Sequence, residues 1–257
     1  MQRYFLEVMY KGTHYSGFQV QENAPTVQAA VEKAFLVLQR QPVVLTGSSR
    51  TDTGVHARQN FFHFDFDAAL HPQFLYKINA ILPRDIVLKN VYSVPPEAHC
   101  RFDALARSYR YYVYQHKDPF LEDRAYYFPF TIDLEKMREA ATVIKEYHDF
   151  TSFSKRNTQV KTFICTLLES EWLEENGQLV YAIKANRFLR GMVRGITGTM
   201  LQVGRGKLSV EDFRKVIEAK DCRKADFAVP GYGLFLQEVI YPPGLLAEPF
   251  IEMRNKK

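Results

Sequence analysis

Asp52 is the side chain around which acid–base or covalent chemistry could be organised in this sequence. It lies in the octet 50–57, which reads Arg-Thr-Asp-Thr-Gly-Val-His-Ala. A carboxylate can add to an electrophilic carbon, or it can take a proton and balance a developing positive charge. Arg50, two residues before Asp52, brings a positive charge into the same short segment.

The residues on either side of the octet predict a loop between two strands. Apolar residues 43–45 precede it, and the run 60–66 that follows is rich in phenylalanine and alternates with polar residues, a pattern typical of strands. Gly54 would allow a tight turn where a Cβ would clash. The alternative is an ordinary surface turn, in which Asp52 bonds its own backbone and pairs with Arg50.

Three arginines lie in or next to the segment 188–203, whose spacing predicts a helix. They are Arg187, Arg190 and Arg194. On a helix these positions share one face, where guanidinium groups could contact phosphates, although a solvated arginine face is the plain alternative. The segment also contains three glycines, each of which costs a helix about 1 kcal/mol relative to alanine. The glycines suggest that another surface approaches this helix closely.

The predicted strand 108–114 carries four tyrosines. Alternation puts Tyr109 and Tyr111 on one face and Tyr112 and Tyr114 on the other. Because tyrosine is a common strand residue, most of these rings are expected to be buried or half-buried.

The sequence predicts no metal site and no cofactor. The seven histidines lack the paired spacing of a metal site, and His56 is expected to fix the loop by a hydrogen bond. The three cysteines form no Cys-x-x-Cys pair, which favours a reduced intracellular protein. The segment 204–207 is too short for a phosphate-binding loop and is expected to end a helix.

Charge and hydropathy leave the partner class open. A net charge of +5 permits a nucleic-acid partner without requiring one. Charged residues interrupt each apolar run well before membrane-spanning length, and the N-terminus lacks the pattern of a signal peptide. We therefore expect a cytoplasmic protein with no membrane contact.

The order of predicted elements indicates two α+β halves. Residues 1–96 read as strand, helix, strand, strand, helix, strand, close to a split βαβ arrangement. Residues 97–257 read as a strand, a helix opened by Asp133, a hairpin turning at 175–177, two helices and a closing strand. The two sheets are expected to join, with a cleft between the halves.

The octet resembles the catalytic loop of the TruA family of tRNA pseudouridine synthases, and the likeness extends over roughly residues 4–241. Further segments similar to that family occur in the same order along the chain. They are 10–19, 26–34, 78–86, 98–102, 107–111, 149–153 and 192–196. This chain has Lys11 where an acidic residue is usual, Ser48-Ser49 where Ala-Gly is usual, and Thr53 where Ala is usual.

The resemblance implies a pseudouridine synthase fold of two ferredoxin-like-related halves with joined antiparallel sheets and a central RNA cleft. It implies that Asp52 is the nucleophile, that Arg194 pairs with Asp52, and that Tyr109 packs on the target uracil. Arg50 would hold the place of the displaced nucleotide. Leu234 matches a family position near the active site, although it could equally be a core strand residue. With Arg194 assigned to the pairing with Asp52, Arg187 and Arg190 are the residues expected to contact phosphates.

The implied reaction is cofactor-free isomerisation of uridine to pseudouridine at positions 38, 39 and 40 of the tRNA anticodon stem-loop, by a homodimer. Lys155, Arg156 and Lys161 are candidates for more distant tRNA contacts, or ordinary surface charge. One rival is a non-catalytic RNA-binding or tRNA-folding protein on the same fold. A second rival, an RNA nuclease, would usually offer a histidine pair or a metal-binding carboxylate cluster.

Overall fold

The computed structural model describes residues 1–156 and 160–252, which form two compact units. The first unit comprises residues 1–105 together with the C-terminal segment from Leu236, and the second comprises residues 106–235. Within the described ranges, no helix combines the length and the apolar composition that crossing a membrane requires.

The first unit is an antiparallel sheet covered by two helices. Its elements are β1 (Gln2–Tyr10), α1 (Val27–Gln39), β2 (Thr46–Gly47), β3 (His56–Phe66), α2 (Phe74–Ile81), β4 (Ile86–Val94), the part of β9 (Leu234–Ile240) from Leu236 onward, and β10 (Ile251–Glu252). The strands lie in the order β10-β4-β1-β3-β9, and the short β2 also pairs with β3. The β4-β1-β3-β2 neighbourhood is the strand order of a ferredoxin-like unit, as the split βαβ pattern predicts.

Aromatic packing joins the helices of the first unit to the sheet. Phe35 of α1 is fully buried. The centroid of its ring lies 5.2 Å from that of Phe64 on β3 and 5.3 Å from that of Phe74 on α2. Such offset and edge-to-face ring pairs add to the stabilisation that burial alone provides.

The second unit is also built of strands and helices. Its elements are β5 (Ala106–Tyr114), β6 (Tyr126–Tyr127), α3 (Leu134–Val143), β7 (Leu167–Glu175), β8 (Gln178–Ala185), α4 (Met192–Gly204) and α5 (Val210–Glu218). The strands pair in the order β5-β8-β7, with β6 parallel to β5. The sequence-based α+β assignment is confirmed in both units.

Local signals placed several elements correctly. The side chain of Asp133 caps α3 by accepting from the backbone N–H of Lys136. The turn at Asn176 and Gly177 joins β7 to β8, and both residues have positive φ, which a tight hairpin turn requires. Helix α4 ends at Gly204 and is followed by Gly206 at φ +70°, as expected for a helix end.

The predicted first residue of the helix 188–203 is wrong. Gly191 adopts a left-handed conformation with φ +74° and is the N-cap, so α4 begins only at Met192. A residue in this conformation cannot continue a right-handed helix. Arg187 and Arg190 therefore precede the helix, and the proposed face of three guanidinium groups does not exist.

The close approach suggested by the glycines of α4 is confirmed. A Cβ on Gly198 would lie 2.2 Å from the carbonyl oxygen of Asp226, and one on Gly195 would lie 2.7 Å from the ring of Phe227. Asp226 is also bonded to the helix, because its backbone N–H donates to Thr199 Oγ1 at 3.0 Å. The backbone at 226–227 therefore lies directly against α4.

Replacing Gly198 with alanine should destabilise the protein. Alanine ordinarily stabilises a helix by about 1 kcal/mol relative to glycine, but here its methyl group would overlap a backbone oxygen. We expect the free energy of unfolding in urea to fall by about 1–3 kcal/mol. Glu139→Ala, at an exposed position of α3, is the control and should change it by less than about 0.5 kcal/mol. A Gly198→Ala protein as stable as the parent would contradict this packing.

Candidate active site

The octet forms a loop between two paired strands, as predicted. β2 and β3 are antiparallel, with Gly47 opposite Phe62, and the backbone N–H of Ser48 donates to Phe61 at 2.8 Å. Gly54 turns the chain with φ +77°. Asp52 is half-buried on this loop, whereas Arg50 is exposed.

The N-terminal segment 12–18 fastens the loop through its backbone. Phe18 donates its N–H to the carbonyl of Thr51 at 3.1 Å, and Gly54 donates to the carbonyl of Tyr15 at 3.3 Å. These two bonds lie on either side of Asp52 in the sequence. The position of the carboxylate is therefore set by two independent backbone attachments.

Gly12 and His56 make a third attachment. The backbone N–H of Gly12 donates to His56 Nδ1 at 2.9 Å, and both residues are buried. A Cβ on Gly12 would lie 1.9 Å from the carbonyl oxygen of Val55, so only glycine fits at this contact. The expectation that His56 fixes the loop by a hydrogen bond is confirmed.

A buried polar network supports the loop from the sheet. The hydroxyl of Tyr10 on β1 lies 2.8 Å from Thr51 Oγ1, and Asn60 Nδ2 donates to the carbonyl of Ser49 at 2.9 Å. Asn60 also lies 3.4 Å from the Tyr10 hydroxyl. Asn60 and Tyr10 were not singled out from the sequence. The available signal was a polar amide within the mostly apolar run 60–66.

Ser48 and Ser49 lie where the family that the octet resembles usually has Ala-Gly. Unlike Ala and Gly, both carry a hydroxyl group. Both side chains are buried, and among the described residues their hydroxyl oxygens have no hydrogen-bond partner. Leaving a buried hydroxyl unsatisfied costs about 1–3 kcal/mol. These two oxygens are therefore exceptions among the buried polar atoms of the described residues.

Tyr109 lies on β5 in the second unit, opposite Ile183 of β8. Its ring is half-buried and meets the ring of Phe188 edge-to-face, with centroids 4.9 Å apart. Tyr111, two residues further on, is fully buried and donates its hydroxyl to the carbonyl of Pro230 at 2.8 Å. Only the first of these two tyrosines keeps part of its ring accessible.

Arg194 lies in the first turn of α4 and is half-buried. Its Nε donates to the carbonyl of Val229 at 2.8 Å, and its Nη2 donates to the carbonyl of Phe227 at 3.4 Å. A guanidinium carries its five N–H donors in a fixed plane, so these two bonds orient that plane against the backbone of residues 227–229.

The other candidate residues of the second unit lie outside α4. Arg187 is half-buried and Arg190 is exposed, both in the irregular chain before α4. Leu234 is the first residue of β9 and is 6% exposed. Lys155 packs its side chain on Gly191, and its backbone N–H donates to the carbonyl of Arg190 at 3.0 Å.

One group of possible metal ligands occurs among the described residues, away from the octet. His63, His99 and Cys100 offer ligand atoms that all lie within 4.8 Å of one another, although the sequence spacing predicted no such pairing. Burial is the main cause that lowers the pKa of His63 to about 4, with smaller effects from His99 and Arg3. The His63 ring is therefore neutral at pH 7.

Known proteins are similar to this chain over most of its length. A family model described as tRNA pseudouridine synthase matches residues 7–103 and 147–242. A tRNA pseudouridine synthase A from Parabacteroides distasonis is 47% identical over 95% of this chain and 98% of its own length. The protein of that name from Bacteroides thetaiotaomicron is 48% identical over 96% of this chain and 94% of its own length.

A more distant relative is similar over the same extent. A tRNA pseudouridine synthase A from Staphylococcus aureus strain N315 is 36% identical over 99% of this chain and 98% of its own length. The matched ranges contain the octet with Asp52 as well as Arg194 and Leu234. The chain therefore belongs to the tRNA pseudouridine synthase family.

Proposed function

We propose that this protein isomerises uridine to pseudouridine at positions 38, 39 and 40 of the tRNA anticodon stem-loop. The observation that carries the proposal is the rigid attachment of Asp52, within an octet that resembles the family's catalytic loop. Full-length similarity to tRNA pseudouridine synthases A supports the reaction type. The three tRNA positions are carried over from the family resemblance.

The reaction needs a carboxylate close to the sugar and the base. The N1–C1′ bond of uridine breaks, the uracil turns, and C5 bonds to C1′; C5 then loses its proton and N1 takes one up. Substrate and product are isomers, so the overall change needs no oxidant or reductant. Asp52 can add to an electrophilic carbon or assist the cleavage, and both routes remain open.

Arg194 is proposed as the cation that pairs with Asp52. Its plane is fixed by the carbonyls of Val229 and Phe227, and a fixed guanidinium loses little freedom when it binds a carboxylate. The positive charge would offset the repulsion between the carboxylate and a polyanionic substrate.

The other candidate residues are proposed to hold the RNA. The half-buried ring of Tyr109 offers a surface on which an unstacked uracil can pack. Arg50 is exposed on the loop and would hold the place of the flipped nucleotide. Arg187 and Arg190 would contact phosphates, and Leu234 would contribute an apolar contact near the base.

Assembly and location follow from the same proposal. The active form would be a homodimer that holds one tRNA across both subunits, and it would work in the cytoplasm, where tRNA is found. Lys155 and the exposed Arg156 and Lys161 are candidates for contacts with the distant part of the tRNA.

Asp52→Asn should abolish product formation on unmodified tRNA. The amide retains the size of the carboxylate but is neither a base nor a nucleophile of comparable strength, so we expect turnover at least about a hundredfold slower. Pseudouridine would be mapped along the anticodon arm. Asp67→Asn, at an exposed carboxylate that pairs with the N-terminal ammonium group, is the matched control.

This experiment also separates the proposal from its main rival. A non-catalytic RNA-binding protein would bind tRNA but give no pseudouridine with the unsubstituted chain, which would overturn the proposed reaction. Equal product from the unsubstituted protein and from Asp52→Asn would remove Asp52 from the mechanism. Product outside positions 38–40 would overturn the assigned specificity alone.

Tyr109→Phe should separate stacking from proton transfer. The substitution retains the ring and its contact with Phe188 but removes the hydroxyl. If the hydroxyl takes the C5 proton, kcat should fall by about a hundredfold or more while KM changes little. Unchanged kcat would eliminate the base role and leave stacking. The exposed Tyr76 provides a Tyr→Phe control.

Asn60→Ala should lower kcat through the position of the octet. The substitution removes the bonds from Asn60 to the carbonyl of Ser49 and the hydroxyl of Tyr10, and a small displacement of a catalytic group can cost about tenfold to a hundredfold in rate. Both kcat and the unfolding midpoint would be measured.

Asn79→Ala is the control for general destabilisation. Asn79 also bridges backbone groups, donating to the carbonyl of Leu88 and accepting from its N–H, but it lies on α2 rather than against the octet. We expect both variants to be less stable and only Asn60→Ala to lose turnover well below its unfolding midpoint. Equal loss of turnover in both would show that Asn60 contributes only to stability.

A further inference from the structure

His63, His99 and Cys100 of the first unit form a compact group of imidazole and thiol side chains. His63 lies on β3, and the other two lie in the turn that follows β4. His63 Nδ1 and Cys100 Sγ are 3.3 Å apart, and the rings of His63 and His99 have centroids 4.5 Å apart. Cys100 is fully buried, and His99 is half-buried, so the group is reached from the side of His99.

We propose that His63, His99 and Cys100 bind a zinc ion. Imidazole nitrogen and thiolate sulfur are the ligands that zinc prefers, at about 2.0–2.1 Å and 2.3 Å respectively. Ligand atoms around a tetrahedral zinc are then about 3.3–3.6 Å apart. His63 Nδ1 and Cys100 Sγ lie 3.3 Å apart, about 0.3 Å less than the nitrogen–sulfur spacing at the upper end of that range, and the three ligand atoms lie within 4.8 Å of one another.

Metal binding would exchange part of the present contacts of these side chains. His63 Nδ1 accepts from the backbone N–H of Cys100 at 3.3 Å, and His99 Nδ1 accepts from that of Arg101 at 3.1 Å. The thiol of Cys100 donates to the carbonyl of Thr46 at 3.1 Å, and thiols are weak donors. Metal–ligand bonds would replace these interactions and release the thiol proton.

The surrounding backbone holds the group in place. The carboxylate of Asp103 accepts from the backbone N–H of His99 at 2.8 Å, and the hydroxyl of Tyr241 donates to the carbonyl of Cys100 at 2.5 Å. Arg3 donates to the carbonyl of Ala98 at 3.0 Å. These three bonds hold the turn that carries His99 and Cys100. Contacts of this kind orient the ligands of a metal site.

Nearby charges are compatible with a divalent cation. Arg3 is positive, but it is paired with Asp65 by two bonds of 2.7 Å, which offsets its charge. Asp103 adds a second carboxylate beside His99. A bound ion would join β3, which carries His63, to the turn after β4, which carries His99 and Cys100. Its expected effect is on stability.

The test uses cobalt as a spectroscopic substitute for zinc in the full-length protein. Reduced, metal-free protein is titrated with Co²⁺ and then with Zn²⁺. We expect a thiolate-to-cobalt charge-transfer absorption and intense visible bands that saturate at one equivalent and disappear when zinc is added. The charge-transfer band should be absent from Cys100→Ser, and His99→Gln should weaken cobalt binding by at least about tenfold.

Cys222→Ser and His71→Gln are matched controls at sites outside the group. Cys222 is half-buried and His71 is exposed, and both variants should retain the spectrum. Absence of the charge-transfer band from the unsubstituted protein would overturn the proposal. A band that survives in Cys100→Ser and is lost in Cys222→Ser would also overturn it.

A stability measurement gives a second, independent result. Zinc should raise the unfolding midpoint of the unsubstituted protein and of Cys222→Ser, because an ion that binds only the folded state stabilises it, and it should leave Cys100→Ser unchanged. If Cys100→Ser does not fold, His99→Gln gives the same comparison at a more exposed position. An equal zinc effect in the parent and in folded His99→Gln would exclude this site.

Discussion

The close backbone contact between the segment 12–18 and the octet is the constraint on which the candidate catalytic loop depends. Gly12 lies so near the carbonyl of Val55 that no side chain fits between them. Hydrogen bonds from Phe18 to Thr51 and from Gly54 to Tyr15 complete the attachment. A loop bonded in this way on both sides of Asp52 holds a carboxylate in one position, which a group meant to act on one atom of a substrate requires.

The sheet supports the same loop through a different kind of interaction. Asn60 and Tyr10 lie on adjacent strands, and their polar ends are buried where strand residues would ordinarily be apolar. Such groups are costly to bury unless they are bonded, and both reach the backbone or side chains of the octet. By contrast, the buried hydroxyls of Ser48 and Ser49 have no partner among the described residues. The loop that carries Asp52 is thus held to the sheet by bonded polar groups.

In the second unit, close packing on α4 has a comparable effect on Arg194. The small residues of this helix allow the backbone at 226–229 to approach, and the carbonyls of that backbone orient the guanidinium. The energetic cost of glycine in a helix is therefore offset by a contact that any larger residue would prevent. On β5, Tyr109 and Tyr111 differ in burial. The ring of Tyr109 is half-exposed, whereas Tyr111 on the same strand is fully buried.

The sequence by itself determined the family, the α+β class, most strands and helices, and the loop that carries Asp52. Strand alternation, helix caps and the hairpin glycine are local signals, and each acts within a few residues of the element that it specifies. The start of α4 was wrong because spacing continued through Gly191, whose left-handed backbone stops the helix. The network of Tyr10 and Asn60, and the meeting of His63 with His99 and Cys100, were decided only by the tertiary structure. Tyr10 is far from Asn60 in the chain, and His63 is far from His99 and Cys100. Strand register, which no short segment encodes, brings the distant partners together.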